Sequence, residues 1–177
     1  MSYVLRDKKT LYTGRIVRLE LHVLERDTDE KVFQREIIVH PGAVVILPLH
    51  HDKTITLIKN RRYAVGKDLI ELPAGTIEKN EIPINAAGRE LQEETGLLAG
   101  KLESLGKFFS SPGIMTEQMY MYVATELTHG VMTLDETEEI SLVNMKFDEA
   151  IAMIKTGEIE DGKTIATLLM YDRFKSK

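Results

Sequence analysis

The stretch Gly75-Thr76-Ile77-Glu78-Lys79-Asn80-Glu81-Ile82-Pro83-Ile84-Asn85-Ala86-Ala87-Gly88-Arg89-Glu90-Leu91-Gln92-Glu93-Glu94-Thr95-Gly96-Leu97 decides how this chain is read. Pro83 suits the first turn of a helix, where its missing N–H is no loss, helix formers follow it, and Gly96 supplies the stop. Ile84, Ala87, Leu91 and Leu98 are expected to mark the apolar stripe. At about 100° per residue, Glu90, Glu93 and Glu94 fall within an arc of about 100° along one edge of that helix. Like charges so spaced cost a helix about 0.2 to 0.5 kcal/mol per pair, and partial burial beside the stripe raises the cost, so a cation is expected there. Oxygen ligation without Cys or His favours a hard cation such as Mg²⁺, which leaves positions for water and phosphate oxygens. Read alone, the arc also fits a solvated acidic face.

Working outward, residues 14–26 and 31–40 alternate apolar and polar side chains around the turn Asp27-Thr28-Asp29-Glu30, the pattern of an antiparallel hairpin. After Pro41-Gly42, the apolar run 43–49 suits a strand buried on both faces. Residues 54–62 and 68–72 continue as strands up to Pro73-Ala74-Gly75, where a loop is expected. Strands are expected over 101–109, 118–127 and 140–147. Two amphipathic helices then follow, one from Asp148 with Ile151 and Ile154 inward, the other capped by Asp161 with Ile165, Leu168 and Leu169 on one face. The fold class is α+β, a mixed sheet sandwiched between α-helices with an N-terminal antiparallel hairpin.

A chain of 177 residues supports one ordinary domain rather than two, and 43% hydrophobic with 29% charged residues matches a folded globular protein. A net charge of -5 has the wrong sign for holding nucleic acid by phosphate neutralisation, so no nucleic-acid partner is expected. Cysteine is absent, which excludes disulfides, thiolate nucleophiles and Cys-ligated metal, and fits a reducing compartment. The longest apolar run is far short of the roughly 20 residues a bilayer helix needs, so no membrane association is expected, and the cytoplasm is the expected location.

Gly75, Glu81 and the run Arg89-Glu90-Leu91-Gln92-Glu93-Glu94-Thr95-Gly96-Leu97 meet every fixed position of Gx5Ex7REUxEExGU, with U aliphatic, and so resemble the Nudix hydrolase box. The resemblance implies the Nudix fold over a single domain, 1–177. Residues 1–40 are expected to contribute to a dimer and 41–177 to form the catalytic core. It also implies hydrolysis of a nucleoside diphosphate linked to another group, with Mg²⁺, or Mn²⁺, at more than one ion per site. Carried over by position, Glu90 and Glu94 are the principal metal ligands, Glu93 a further ligand, and the Ala74 carbonyl a backbone ligand. Glu81 and Arg89 form an ion pair, with Gly75 and Gly96 structural. A diphosphate brings about two negative charges to an acidic edge, so binding requires neutralisation.

Ser110-Ser111-Pro112-Gly113 with Glu117, Arg35-Glu36 ahead of His40-Pro41-Gly42, and Glu71-Leu72-Pro73-Ala74-Gly75 resemble the ADP-ribose pyrophosphatase subfamily. That resemblance implies hydrolysis of ADP-ribose to AMP and ribose 5-phosphate by a homodimer with shared active sites. Arg35 and Glu36, from the neighbouring chain, approach the nucleoside and Arg62 the phosphate or terminal ribose. Glu71, Pro112, Gly113 and Glu117 complete the substrate set. The acidic run 135–139 supplies the general base through Glu138 or Glu136, with Glu93 and Glu117 in reserve. The alternatives are another nucleoside diphosphate sugar, GDP-mannose among them, and a non-catalytic ADP-ribose sensor; the complete box favours an enzyme. Residues 157–164 fit the spacing of a P-loop, but a helix rather than a strand precedes them, and Glu158, Glu160 and Asp161 would repel phosphate. They read as a turn into the last helix. None of the five histidines has ligand spacing, and the His50-His51 pair is expected to face solvent.

Overall fold

A computed structural model describes residues 2–174; Met1 and residues 175–177 of the expected single domain lie outside the described residues. The chain forms two compact units, Met1–Gly42 with Phe109–Gln118, and Ala43–Phe108 with Met119–Lys177.

The first unit is a three-stranded antiparallel sheet in the order β1 (Tyr3–Thr13), β2 (Arg18–Arg26), β3 (Val32–Val39). The β2–β3 hairpin matches its expected alternation, whereas β1 was absent from the sequence reading: its apolar and aromatic residues stand in two clusters, Tyr3-Val4-Leu5 and Leu11-Tyr12, around a charged run, so no two-residue alternation marks it. Segment 109–118 is fastened to the end of β3, with the Ile38 N–H donating to the Ile114 carbonyl at 2.8 Å and the Thr116 N–H to the Ile38 carbonyl at 3.0 Å.

In the second unit β4 (Ala43–Pro48) is the organising strand. It lies second in the sheet β7 (Ala74–Thr76), β4, β9 (Gln118–His129), β8 (Leu97–Phe109), pairing parallel with β9 and antiparallel with β7. The antiparallel sheet β10 (Ile140–Lys146), β5 (Thr54–Arg62), β6 (Lys67–Glu71) completes the unit. Successive β4 side chains alternate between two cores, as the two-residue period of a strand requires. Val45 and Leu47 join Leu57, Leu72, Phe147 and Leu168 on the face covered by α2 (Phe147–Thr156) and α3 (Gly162–Phe174). Val44 and Ile46 join Ala86, Ala87, Leu91 and Tyr122 on the face covered by α1 (Pro83–Thr95). The mixed sheet therefore lies between helices.

Four local expectations are corrected. Pro73-Ala74-Gly75 is not a plain loop; Ala74 and Gly75 enter β7, which is tolerated because β7 is an edge strand and Pro73 stands just ahead of it. Ile84 and Leu98 are exposed, and Ala86, Ala87 and Leu91 carry the buried stripe of α1. Leu169 is likewise exposed, while Leu168 is fully buried. Of the histidine pair, His51 is exposed but His50 is half-buried, with its Nε2 bonded to Thr56 Oγ1 at 2.9 Å.

Gly96 ends α1 in the left-handed region at φ 68, its N–H donating to the Gln92 carbonyl, and a Cβ there would stand 3.2 Å from the Met132 nitrogen. Gly96→Ala is therefore expected to lower stability by about 1 to 2 kcal/mol, the penalty of a left-handed non-glycine residue. Urea unfolding of the two proteins side by side measures it; equal midpoints and slopes would contradict the assignment.

Candidate active site

The carboxylate edge of α1 faces β7. Glu90 and Glu94 are buried, at 9% and 2% exposure, while the Glu93 side chain is 40% exposed. Glu94 Oε2 accepts the Ala74 N–H at 2.8 Å. A Cβ on Gly75 would lie 2.0 Å from the Glu90 carboxyl carbon, so that carboxylate occupies the space a side chain at 75 would fill. Glycine is required here for close approach rather than for backbone conformation.

Arg89 binds the acidic residues around it. Its Nε and Nη2 donate to the two Glu81 oxygens at 3.0 and 2.9 Å, and Nη1 donates to Glu90 Oε1 at 2.8 Å and Glu93 Oε2 at 2.9 Å. Nη2 also reaches the Thr76 carbonyl at 3.1 Å. One guanidinium thus joins the helix, the loop that precedes it and β7, and the Glu81 hydrogen bonds raise its pKa further.

Glu94 has no such partner. Burial, with the charges of Glu90 and Glu138 adding to it, pushes its pKa up to about 8 against the Ala74 bond. Burial also lifts Glu90 to about 6, although Arg89 opposes the shift. Two buried carboxylates whose ionised forms are disfavoured, all-oxygen in character and next to a peptide edge, fit a hard divalent cation. Among the described residues no three His, Asp or Glu side chains form a ready-made cage, so the fit rests on the Glu90–Glu94 pair rather than on a closed side-chain set.

Two other groups flank this edge. Arg62, at the end of β5, donates Nε and Nη2 to Glu71 Oε1 and Oε2 at 2.7 and 2.6 Å, and its charge acts on Glu94. Arg61 pairs instead with Asp68 at 3.2 Å, as alternation along a strand requires. Glu71 is fully buried, with both oxygens engaged by cations. Burial is the largest influence on its pKa and acts upward, but Arg62 and Lys163 outweigh it and hold the carboxyl below its ordinary range. Asp161 caps the last helix as expected, its Oδ2 accepting from the Thr164 N–H, but the part that Lys163 and Thr164 take beside Glu71 was missed from the sequence; their only signal was the P-loop-like run, where they stand in the first turn of α3. In the acidic run 135–139, Glu138 is half-buried and its charge acts on Glu90 and Glu94, whereas Glu136 is exposed.

The remaining candidates all lie in the first unit. The Arg35 guanidinium stands 4.8 Å over the Phe33 ring, and Glu36 is exposed on β3 opposite Leu21. Pro112 and Gly113 are exposed, and Glu117 Oε1 lies 3.5 Å from His40 Nε2.

Residues 39–168 match the NUDIX domain family. The chain is 36% identical over 157 residues to a methanol dehydrogenase activator of Bacillus methanolicus, covering 88% of this chain and 84% of that protein. It is 33% identical over 159 residues to an ADP-ribose pyrophosphatase of Bacillus subtilis, covering 89% and 85%. It is 34% identical over 137 residues to a GDP-mannose pyrophosphatase of an Enterobacter species, covering 72% and 71%. The crystal structure of an ADP compounds hydrolase superposes with a TM-score of 0.86 over 97% of this chain and 93% of that one; at 22% identity it bears on the fold alone. The chain belongs to the NUDIX family and is a Nudix hydrolase.

The Glu94 shift has a sign that can be measured in metal-free protein. Its folded pKa of about 8 lies above the ordinary 4.5, so between those values the folded state holds a proton that the unfolded state has released. Stability is therefore expected to fall as pH rises through this window, and Glu94→Gln is expected to remove most of that slope. Melting temperatures in chelator from pH 5 to 8.5 decide it; a variant that keeps the full wild-type slope shows that another group carries the proton.

Proposed function

We propose that this Nudix hydrolase cleaves the diphosphate of ADP-ribose, adding water to give AMP and ribose 5-phosphate. The observation that carries the reading is the buried Glu90–Glu94 pair against Ala74 and Gly75, with Arg62 beside it and Glu138 within electrostatic reach. The 33% identity to an ADP-ribose pyrophosphatase over most of both chains supports the substrate. Cleavage of GDP-mannose is the second reading, favoured by the 34% identity to a GDP-mannose pyrophosphatase.

Glu90 and Glu94, with Glu93 and the Ala74 carbonyl, would hold Mg²⁺, which when bound neutralises diphosphate charge and polarises a phosphoryl oxygen. Glu81 and Arg89 keep the loop, helix and β7 in register beneath that pair. Arg62 offers a cation to phosphate. Glu138 takes the proton of the attacking water: it approaches from a loop rather than from α1, and a carboxylate not engaged by the cation is free to accept a proton. Arg35 and Glu36 of a second copy, with Pro112, Gly113 and Glu117, would hold the nucleoside end.

Product identification after incubation with Mg²⁺ and ADP-ribose, GDP-mannose and related compounds tests the substrate. AMP with ribose 5-phosphate is expected to dominate; preferential release from GDP-mannose would establish the second reading. With the preferred substrate, Glu138→Gln is expected to lower kcat by about 10² to 10⁴ and Glu136→Gln far less. Near-normal turnover in both, and in the double variant, would move the base to Glu93 or Glu117.

The same reading makes the working species a homodimer to which residues 1–40 contribute. In the first unit every residue of β1 is exposed, Tyr3, Val4, Leu5, Leu11 and Tyr12 among them, a surface suited to a second copy. Sedimentation is expected to give about twice 20.1 kDa. A fully active monomer at assay concentration would remove the shared site.

A further inference from the structure

Arg62 is an arginine at a strand end with its side chain 39% exposed, yet it is held by a carboxylate that is completely buried. A two-point fork fixes a guanidinium only as well as the carboxylate itself is fixed. Glu71 is set from the far side: Lys163 Nζ, in the first turn of α3, lies 2.5 Å from Oε2, the same oxygen that accepts Arg62 Nη2. Lys163 is in turn paired with Asp161 Oδ1 at 2.9 Å. Asp161 Oδ2 accepts from the Thr164 N–H at 3.0 Å and the Thr164 hydroxyl at 2.6 Å. Thr164 Oγ1 accepts the Leu72 N–H at 2.8 Å. The start of α3 is thereby bonded to the backbone immediately after Glu71, on the path to Ala74 and Gly75.

Lys163 is 17% exposed and Glu71 not at all, so neither is placed to meet a substrate as Arg62 is. The alternating series Arg62, Glu71, Lys163, Asp161 has one well-exposed cation, at its Arg62 end. Arg62 spends Nε and Nη2 on Glu71, which leaves Nη1 and the outward edge of the guanidinium for a ligand.

We propose that Lys163 is a positioning residue for substrate affinity: acting through Glu71, it fixes the guanidinium of Arg62 in the orientation that receives the diphosphate of a nucleoside diphosphate sugar. This rests on the reading of Arg62 as the phosphate-facing cation given above. Without Lys163, one anchor of the Glu71 carboxylate is lost, the carboxylate can turn about its terminal torsion, and the fork on Arg62 turns with it. A lysine acting only as a structural pin between α3 and β6 would change melting temperature without changing affinity selectively.

Steady-state kinetics on ADP-ribose with Mg²⁺ separates these. Lys163→Met is expected to raise KM about tenfold while kcat changes by less than about threefold, and Lys163→Arg to restore most of the loss. In an Arg62→Gln background, Lys163→Met is expected to add no further change in KM, because the residue through which it acts is gone. Lys163→Gln, which keeps an N–H donor, serves if the methionine variant melts near the assay temperature, and its KM is expected to rise in the same direction. An unchanged KM, or an equal rise with and without Arg62, overturns the inference while leaving the proposed activity intact. A wild-type chain that neither hydrolyses nor, by calorimetry, binds ADP-ribose, GDP-mannose or a related nucleoside diphosphate sugar overturns the functional reading and the inference together.

Discussion

The site depends on one guanidinium. Arg89 makes five hydrogen bonds, to Glu81, Glu90, Glu93 and the Thr76 carbonyl, and these span three parts of the chain. Without it the acidic edge of α1 would repel itself, and the loop carrying Glu81 would lose its two hydrogen bonds to the helix and be left with the apolar packing of Ile77. The arrangement also divides the acids. Glu90 and Glu93 are bonded to a resident cation, whereas Glu94 has only the Ala74 N–H and the unbonded charge of Arg62 to set against burial. Glu94 is thus the one buried carboxyl of this edge that no resident cation bonds, and without such a partner it holds a proton up to a pH of about 8.

That division works because β7 comes within touching distance of the helix. Gly75 has no side chain to hold the Glu90 carboxylate away, and its pairing with Val44 places it directly on the central strand. The same strand presents Val45 and Leu47 to the opposite core, where α3 packs. The helix carrying Glu90 and Glu94 and the helix carrying Lys163 are therefore referred to one six-residue strand from its two faces.

Much of this was legible in the sequence, for reasons that differ by element. The limits of α1 followed from Pro83 and Gly96, whose backbone properties are local. The buried character of β4 followed from an uninterrupted apolar run, and β5 from residues 54–62. β1 was invisible because a fully exposed strand has no apolar periodicity to read. Pro73-Ala74-Gly75 was misread because an edge position, which excuses a proline, is a property of the sheet and not of the tripeptide. In the site, the carboxylates of one helix could be grouped by their spacing. The partners of Glu71 could not: Lys163 lies 92 residues further along the chain, and no local pattern reports a contact at that separation.

Parallel pairing of β4 with β9 has a bearing on the order of assembly. Val44 meets Tyr120, a separation of 76 residues (120 − 44), so the central strand gains this neighbour only after a long loop has closed. The box is complete in sequence at Leu97, but the strand that flanks β4, the loop carrying Glu138 and the helix carrying Lys163 all come later. On the ribosome, a nascent chain that has just exposed the whole motif therefore has Arg89, Glu81, Ala74 and Gly75 to hold its carboxylates, but neither the parallel neighbour of β4 nor the cation that sets Glu71 from the far side.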